Sequence, residues 1–185
     1  MVNLVRLLAI ALASLMRPRR GVLETSVIRL RVWPNDLDLN LHMNNGRYLS
    51  LMDLGRVDLM FHGGVGLWLK RGRQPLVAAS FCRHFKPLGL FQSFELHTRV
   101  VGWDAKWVYF EQRFMRRGTL HALGAIKALV ADPGRLVPTQ EFLADQLLDG
   151  VEAPALPDWV RDWLKAERAA IDALKAERAA AGGQG

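Results

Sequence analysis

The stretch at residues 35–56, NDLDLNLHMNNGRYLSLMDLGR, changes character halfway along. Between Asp36 and Asn45 it holds two acids, three asparagines and one histidine, and from Tyr48 onward it is mostly apolar. The polar half reads as a metal loop, a catalytic loop or a helix start. The apolar half is simpler. Tyr48, Leu51, Met52, Gly55 and Leu59 recur at helical offsets, and Leu49, Val57, Met60 and Phe61 widen the apolar surface beyond one stripe. The spacing predicts a helix from Asn44 to about His62, enclosed by protein on most sides. Asn44 is the N-cap, and the glycines of His62-Gly63-Gly64 follow the helix end.

Working outward, SVIRLRVW alternates before the polar loop, with Ile28, Leu30 and Val32 on one side and Arg29 and Arg31 on the other. That period of two is a half-buried strand, ended by Pro34. After the helix come PLVAASFCRHF, SFELHTRVVGW, KWVYFEQRFMRR and TLHALGAIKALVA, four further strands with short connections. Parallel crossovers take a dozen or more residues, so neighbours in this run are expected to be antiparallel. One buried helix on one antiparallel sheet is an α+β layer arrangement.

The 185 residues suffice for one packed domain, and 50% apolar with 23% charged residues gives it a core to bury. The expected organisation is an N-terminal helix over 1–20, a domain over 22–150 and a C-terminal helical extension over 151–185. Cys82 is the single cysteine, which excludes an intramolecular disulfide and fits a reducing, cytoplasmic compartment. The net charge of +7 does not by itself choose a partner, and no basic helix face interleaved with aromatics points to nucleic acid.

The opening MVNLVRLLAIALASLMRPRR joins a short apolar run to Arg17, Arg19 and Arg20. The run is far below the ~20 residues a spanning helix needs. Its charges sit mainly behind it, unlike a secretory signal. Leu4, Leu8, Ala11, Leu12 and Leu15 keep helical spacing. Two readings stay open: a helix lying in a membrane surface with its arginines on anionic headgroups, or a helix packed on its own protein. At the other end LKAERAA occurs twice, ten residues apart, in a charged and partly exposed helix without a heptad register.

Asp36, Asp38 and Asn40 imitate the opening ligands of a calcium loop, but the sixth position is Leu41 and the twelfth Arg47, where glycine and a bidentate acid are required. His42 with Asp36 or Asp38 lacks the second histidine of a zinc motif, so no metal is expected. Capping explains one or two of the polar residues. In an extended segment Asp38, Asn40 and His42 would project on one side, a carboxylate, an amide and an imidazole beside the positive end of a helix.

These residues, DLDLNLHMNNGRYL with FCRHFKPL, FELHTRVVGWD and YFEQRFMRRGTLHALG downstream, resemble the hotdog-fold acyl thioesterases, and within them the relatives of thioesterase superfamily member six. The resemblance covers residues 22–150. It implies a hotdog fold, a curved antiparallel sheet wrapped around a central α-helix, with extra N- and C-terminal helices here, and subunits that pair to build their sites. It implies hydrolysis of a fatty or aromatic acyl-CoA, or an acyl-carrier-protein thioester, without a cofactor. Asp38 matches the family's catalytic carboxylate, and Asn40 and His42 match the asparagine and histidine that accompany it in the plant enzymes. Asn45 falls where a backbone N–H polarises the thioester carbonyl. Other branches carry the acid in the helix, where Asp53 or Asp58 would be the analogues.

The expected chemistry follows from these types. A carboxylate activates water or attacks directly, an imidazole orients water or carries a proton, and an amide N–H meets the oxyanion. Tyr48, Leu51 and Met52 are candidates to line an acyl slot, with ordinary core packing as the competing reading. Arg83, Lys86, Arg116 and Arg117 have the charge for phosphates, but strand-edge solubility explains them equally, and no phosphate site is assigned. The substrate partner is an acyl thioester, the protein partner a second or further copy, with peripheral membrane contact left open. The rival reading is a non-catalytic hotdog module that binds acyl groups or a protein.

Overall fold

The computed structural model describes residues 4–16, 21, 23–62, 73–145 and 151–182. The arginines at 17, 19 and 20 and the glycines at 63 and 64 lie outside the described residues. In chain order the elements are α1 (Leu4–Leu15), β1 (Ser26–Arg31), a 3-10 turn (Pro34–Asp36), α2 (Asn45–His62), β2 (Gln74–His84), β3 (Ser93–Trp103), β4 (Val108–Arg116), β5 (Thr119–Asp132), β6 (Arg135–Val137), α3 (Thr139–Asp145) and α4 (Asp158–Gly182). Residues through Ala153 form one compact unit that includes α1; Pro154–Gly185 form a second, built on α4.

Helix α2 starts where the sequence places it. The Asn44 side-chain oxygen accepts the Gly46 N–H at 2.8 Å, satisfying one of the donors a helix start leaves open. Beyond that cap Tyr48, Leu51, Met52, Leu54, Gly55, Arg56, Asp58 and Leu59 are buried, while Leu49 is exposed and Asp53, Val57 and Met60 are half-buried. The sheet that encloses it runs β1-β3-β4-β5-β2, with β6 added to β5, and every pair is antiparallel. Bulges at Val77/Ala79, Val100/Gly102 and Phe114/Met115 deepen its twist, so the sheet curls round the helix. Ile28, Phe94, Leu96, Phe114, Ala122 and Ile126 from the strands pack with Tyr48, Leu51, Met52 and Leu54 in one core cluster.

The contact between layers is closest at two glycines. A Cβ on Gly55 would stand 2.2 Å from Thr98 Oγ1 and 2.9 Å from Gln112 Nε2, and one on Gly124 would reach the Met52 side chain. Gly55 therefore admits the polar floor of the sheet, where the buried Gln112 donates to Thr98 and to the Met52 carbonyl, each at 2.9 Å.

Antiparallel pairing of consecutive strands holds for β3, β4 and β5, whereas β2 pairs with β5 at the far edge and not with β3. Segment 85–92 makes this crossing over the start of α2. The N–H groups of Phe85 and Lys86 donate to the His121 carbonyl on the β5 side, Met43 donates to Leu88 at 2.7 Å, and Phe91 donates to Val32 on the β1 side at 2.9 Å. Leu88 is fully buried beneath it. The short strand β6 escapes the sequence reading because three residues carry too little pattern.

Helix α1 packs on α2 through Leu7 and Ile10. Two polar contacts hold it. The Arg6 guanidinium donates to Asp36 at 2.6 and 3.1 Å, and the buried Ser14 hydroxyl donates to the fully buried carboxylate of Asp58, which also accepts from Ser26 at 2.6 Å. Asp58 is therefore occupied with fastening α1 and β1 to the central helix. In the second unit, α4 is mostly exposed and carries ion pairs such as Lys165–Asp162 at 3.0 Å.

Substituting Gly55→Ala is expected to lower the unfolding free energy by about 1–3 kcal/mol, as overpacking a tight contact does, read from urea denaturation at unchanged slope. An unchanged midpoint would show that the helix and sheet approach less closely here.

Candidate active site

The polar stretch does not run extended. Leu37 and Met43 bridge as an antiparallel pair, the Asp38 N–H donates to the His42 carbonyl at 2.9 Å, and the Leu41 N–H donates back to Asp38 at 3.1 Å. This is a tight turn, completed by Leu41 at a φ of 58° in the left-handed region that a leucine adopts at a cost. The turn links Asp38 and His42 through that backbone hydrogen bond, across the neck that Leu37 and Met43 close. Asn40 stands at the exposed tip, and its backbone N–H donates to the Asp38 carboxylate at 2.9 Å. Asp38 is partly buried and His42 exposed.

Asp36, two residues earlier, has a different environment. It is 1% exposed and lies against Arg6 and, at 3.5 Å, Arg47; its side chain also accepts the Trp33 N–H at 2.9 Å. Its carbonyl takes the Asn44 N–H at 2.8 Å. Asp36 thus joins α1, the turn and the first turn of α2, a positioning role that sequence spacing alone had grouped with metal ligation. Among the described residues, no group of three or more His, Cys, Asp or Glu is placed to hold a metal ion.

Behind the turn lies the first turn of α2. Gly46 is bonded to the Asn44 side chain and Arg47 to the Asn44 carbonyl at 2.8 Å, and the exposed Asn45 leads them. Segment 85–92 closes on the same place: His42 bridges Gly89. Beneath lies a group of side chains the sequence reading did not single out. The His84 ring meets Tyr48 edge-on at 4.5 Å, and its Nε2 is 3.5 Å from Cys82 Sγ. Alternation along β2 places Cys82 and His84 on one face, the signal that was available. Burial pushes the Cys82 thiol up to about 11, so it is protonated and no nucleophile at neutral pH. Burial, then the charge of Cys82, pushes the Tyr48 phenol up to about 12, and burial lowers His84 toward the neutral imidazole.

Tyr48, Leu51 and Met52 are 2%, 4% and 0% exposed and belong to the main core. The cavity beside α2 has a different lining. About 280 Å³ of space lies among Leu7 of α1, Val57 and Met60 of α2, Val77 of β2, Phe110 of β4 and Val130 of β5. Asp53 and Arg56 bring charge to this apolar wall. They form an ion pair with each other, and Arg56 also donates to Gln112 at 2.9 Å. Burial lowers the Arg56 pKa, partly offset by Asp53.

Around the turn, apolar side chains stand in solvent. Trp33, Leu39, Leu41, Phe85, Leu90 and Phe91 are all exposed, with Trp33 and Phe91 edge to face at 6.0 Å. Among the described residues, strand β2 is an edge strand of eleven residues on which Leu76 and Val77 are exposed.

The sequence model described as the thioesterase-like superfamily matches residues 32–164. Protein THEM6 of Danio rerio is 33% identical over 168 residues, which cover 86% of this chain and 79% of that protein. Thioesterase poxG of Penicillium oxalicum is 29% identical over 133 residues, covering 62% of this chain and 43% of the fungal protein. Among solved structures, a 1,4-dihydroxy-2-naphthoyl-CoA thioesterase from Synechocystis superposes with a TM-score of 0.58 at 9% identity, over 69% of this chain and 98% of that one, a likeness of fold. The helix wrapped by a curled antiparallel sheet is accordingly a hotdog fold, and the chain belongs to the thioesterase-like superfamily.

Proposed function

We propose that the chain hydrolyses acyl thioesters, with acyl-CoA as the first substrate class to test and acyl-carrier-protein thioesters as the second. The observation that carries this reading is the Asp38–His42 turn set against the start of α2. In the proposed step Asp38 takes a proton from water as the water oxygen bonds to the thioester carbon. The carbonyl oxygen becomes an oxyanion facing the Asn45 N–H and the helix dipole. Collapse breaks the C–S bond, and the thiolate leaves with a proton returned through Asp38 or His42. Asn40, through its backbone bond to Asp38, holds the carboxylate in the turn.

The apolar cavity supports an acyl chain as the other half of the substrate. A cavity of about 150 Å³ holds a benzene-sized group, so this one accommodates on the order of ten carbons. Its first lining residue on α2, Asp53, lies about 12 Å along the helix from Asn45, at 1.5 Å per residue, which favours a chain over a small acyl group. The exposed apolar side chains around the turn, and the open edge of β2, support a site completed by a second copy of the chain pairing along β2. A second reading rests on Asp53, the acid in the cavity wall, as the reacting carboxylate.

A panel of acyl thioesters of varied chain length separates these readings. Asp38→Asn is expected to lower kcat by about 10²–10⁴ with an unchanged unfolding midpoint, while Asp53→Asn stays within a few-fold of wild type. The reverse result assigns the chemistry to the cavity acid, and wild type without turnover on any thioester supports a binding module. Asp36→Ala is expected instead to cost about 3–5 kcal/mol of stability, because it leaves arginines without their buried partner.

Val57→Phe, which fills the cavity, is expected to reduce kcat/KM for long acyl chains at least about tenfold while sparing short ones. Equal losses across the panel would place the chain elsewhere. Sedimentation equilibrium is expected to return twice the chain mass; an active monomer would remove the pairing along β2.

A further inference from the structure

Helix α1 is built inside out. At about 100° per residue, Leu4, Val5, Leu8, Ala9, Leu12 and Met16 fall within an arc of roughly 140°, and Arg6, Leu7, Ile10 and Ser14 occupy the opposite side. The polar members of the helix, Arg6 and Ser14, turn inward to Asp36 and Asp58. The outward arc carries no polar side chain, and Leu4, Val5, Leu8, Leu12 and Met16 are 64%, 75%, 56%, 64% and 84% exposed. A surface helix of a water-soluble domain has the opposite arrangement.

The inward contacts are not a loose docking that the helix gives up on meeting another partner. Arg6 and Ser14 each donate to a buried carboxylate, and withdrawing them would take from Asp36 its shortest ion pair and from Asp58 a serine donor. The apolar arc is therefore presented as a fixed face of the domain. The helix is about 18 Å long, and among the described residues no helix is long and apolar enough to cross a membrane. Directly after Met16 the sequence reads Arg17-Pro18-Arg19-Arg20.

We infer that α1 is a membrane-surface docking element: its outward arc enters the headgroup–acyl boundary of an anionic bilayer while its inward face stays fastened to the hotdog domain, and the arginines at 17, 19 and 20 meet the lipid phosphates. Charge complementarity selects the occupant. A protein interface of this size carries hydrogen-bonding groups among its apolar ones, and this arc has none on its side chains, whereas an acyl layer asks for none. Three closely spaced arginines at its end match an anionic surface. The two readings of the N-terminal segment, packed on its own protein or lying in a membrane, are the two faces of one helix. This inference does not depend on hydrolysis.

The test uses the full chain and co-sedimentation with phosphatidylcholine vesicles, with and without phosphatidylglycerol, at two salt concentrations. Wild type is expected to sediment with the anionic vesicles and to be released by salt. Each arginine contributes about a factor of five near such a surface, about 1 kcal/mol, so the triple variant Arg17→Gln, Arg19→Gln, Arg20→Gln is expected to lose about a hundredfold in partitioning together with its salt dependence. Leu8→Glu with Leu12→Glu is expected to lose at least as much, since each leucine is worth about tenfold or more on burial. Both positions are exposed, so the unfolding midpoint of that variant is expected to stay at the wild-type value, which separates lost binding from lost folding. Wild type left in the supernatant, or the leucine variant sedimenting as wild type does, overturns the inference. So does a leucine variant that changes only the sedimentation mass of the free protein, which would make the arc an interface between copies.

Discussion

A carboxylate taken out of water has to be met by opposite charge and hydrogen-bond donors, and Asp36 is met from three directions. Arg6 reaches it from α1, Arg47 from the first turn of α2, and the Trp33 N–H from the end of the strand that precedes it. Its own carbonyl receives the N–H of the residue that caps α2. Each of these partners comes from a different element and converges on one buried carboxylate, so the positions of α1, of the turn after Asp36 and of the start of α2 are set together. The turn that carries Asp38 and His42 lies two to six residues beyond this point, and inherits its position from it.

The second constraint is the enclosure of α2. A helix with a broad buried apolar surface needs a sheet that curls round it, and the chain crosses its end to reach both edges. Segment 85–92 is that crossing. It lies against the turn through Met43 and Leu88 and against His42 through Gly89, so that the same piece of backbone that closes the core also frames the start of the helix. Gly55 and Gly124 let the layers touch, and the buried Gln112 and Arg56 give the floor its polar fittings. Toward β2 and α1 an apolar cavity lies beside the helix.

Helix α1 links these constraints to the outside. Leu7 forms part of the cavity wall, Arg6 and Ser14 hold the buried acids, and the other side of the same helix offers only apolar side chains. A short segment thereby covers the core on one side and presents an exposed apolar face on the other, because at 3.6 residues per turn the two sets fall on opposite sides.

Much of the architecture could be read from local pattern. The period of α2, its Asn44 cap, the alternation of β1 and the turn-bounded apolar runs of β2 to β5 are properties of neighbouring residues, and short connections made antiparallel pairing the expectation. The D-x-N-x-H spacing singled out the segment that the chain folds into a turn before α2. Which strands would be neighbours across the sheet was not local, and β2 lies at the far edge because the chain crosses α2. The division of labour among the acids was not local either. Asp36, Asp38, Asp53 and Asp58 are the same residue type, and whether each is buried against arginine, held in a turn, placed in a cavity wall or bonded to two serines depends on groups up to 44 positions away. Likewise periodicity identified α1 as amphipathic, but which of its faces meets the protein was decided by the buried carboxylates waiting for Arg6 and Ser14. Sequence sets which side chains share a face; only the folded chain decides what that face is turned against.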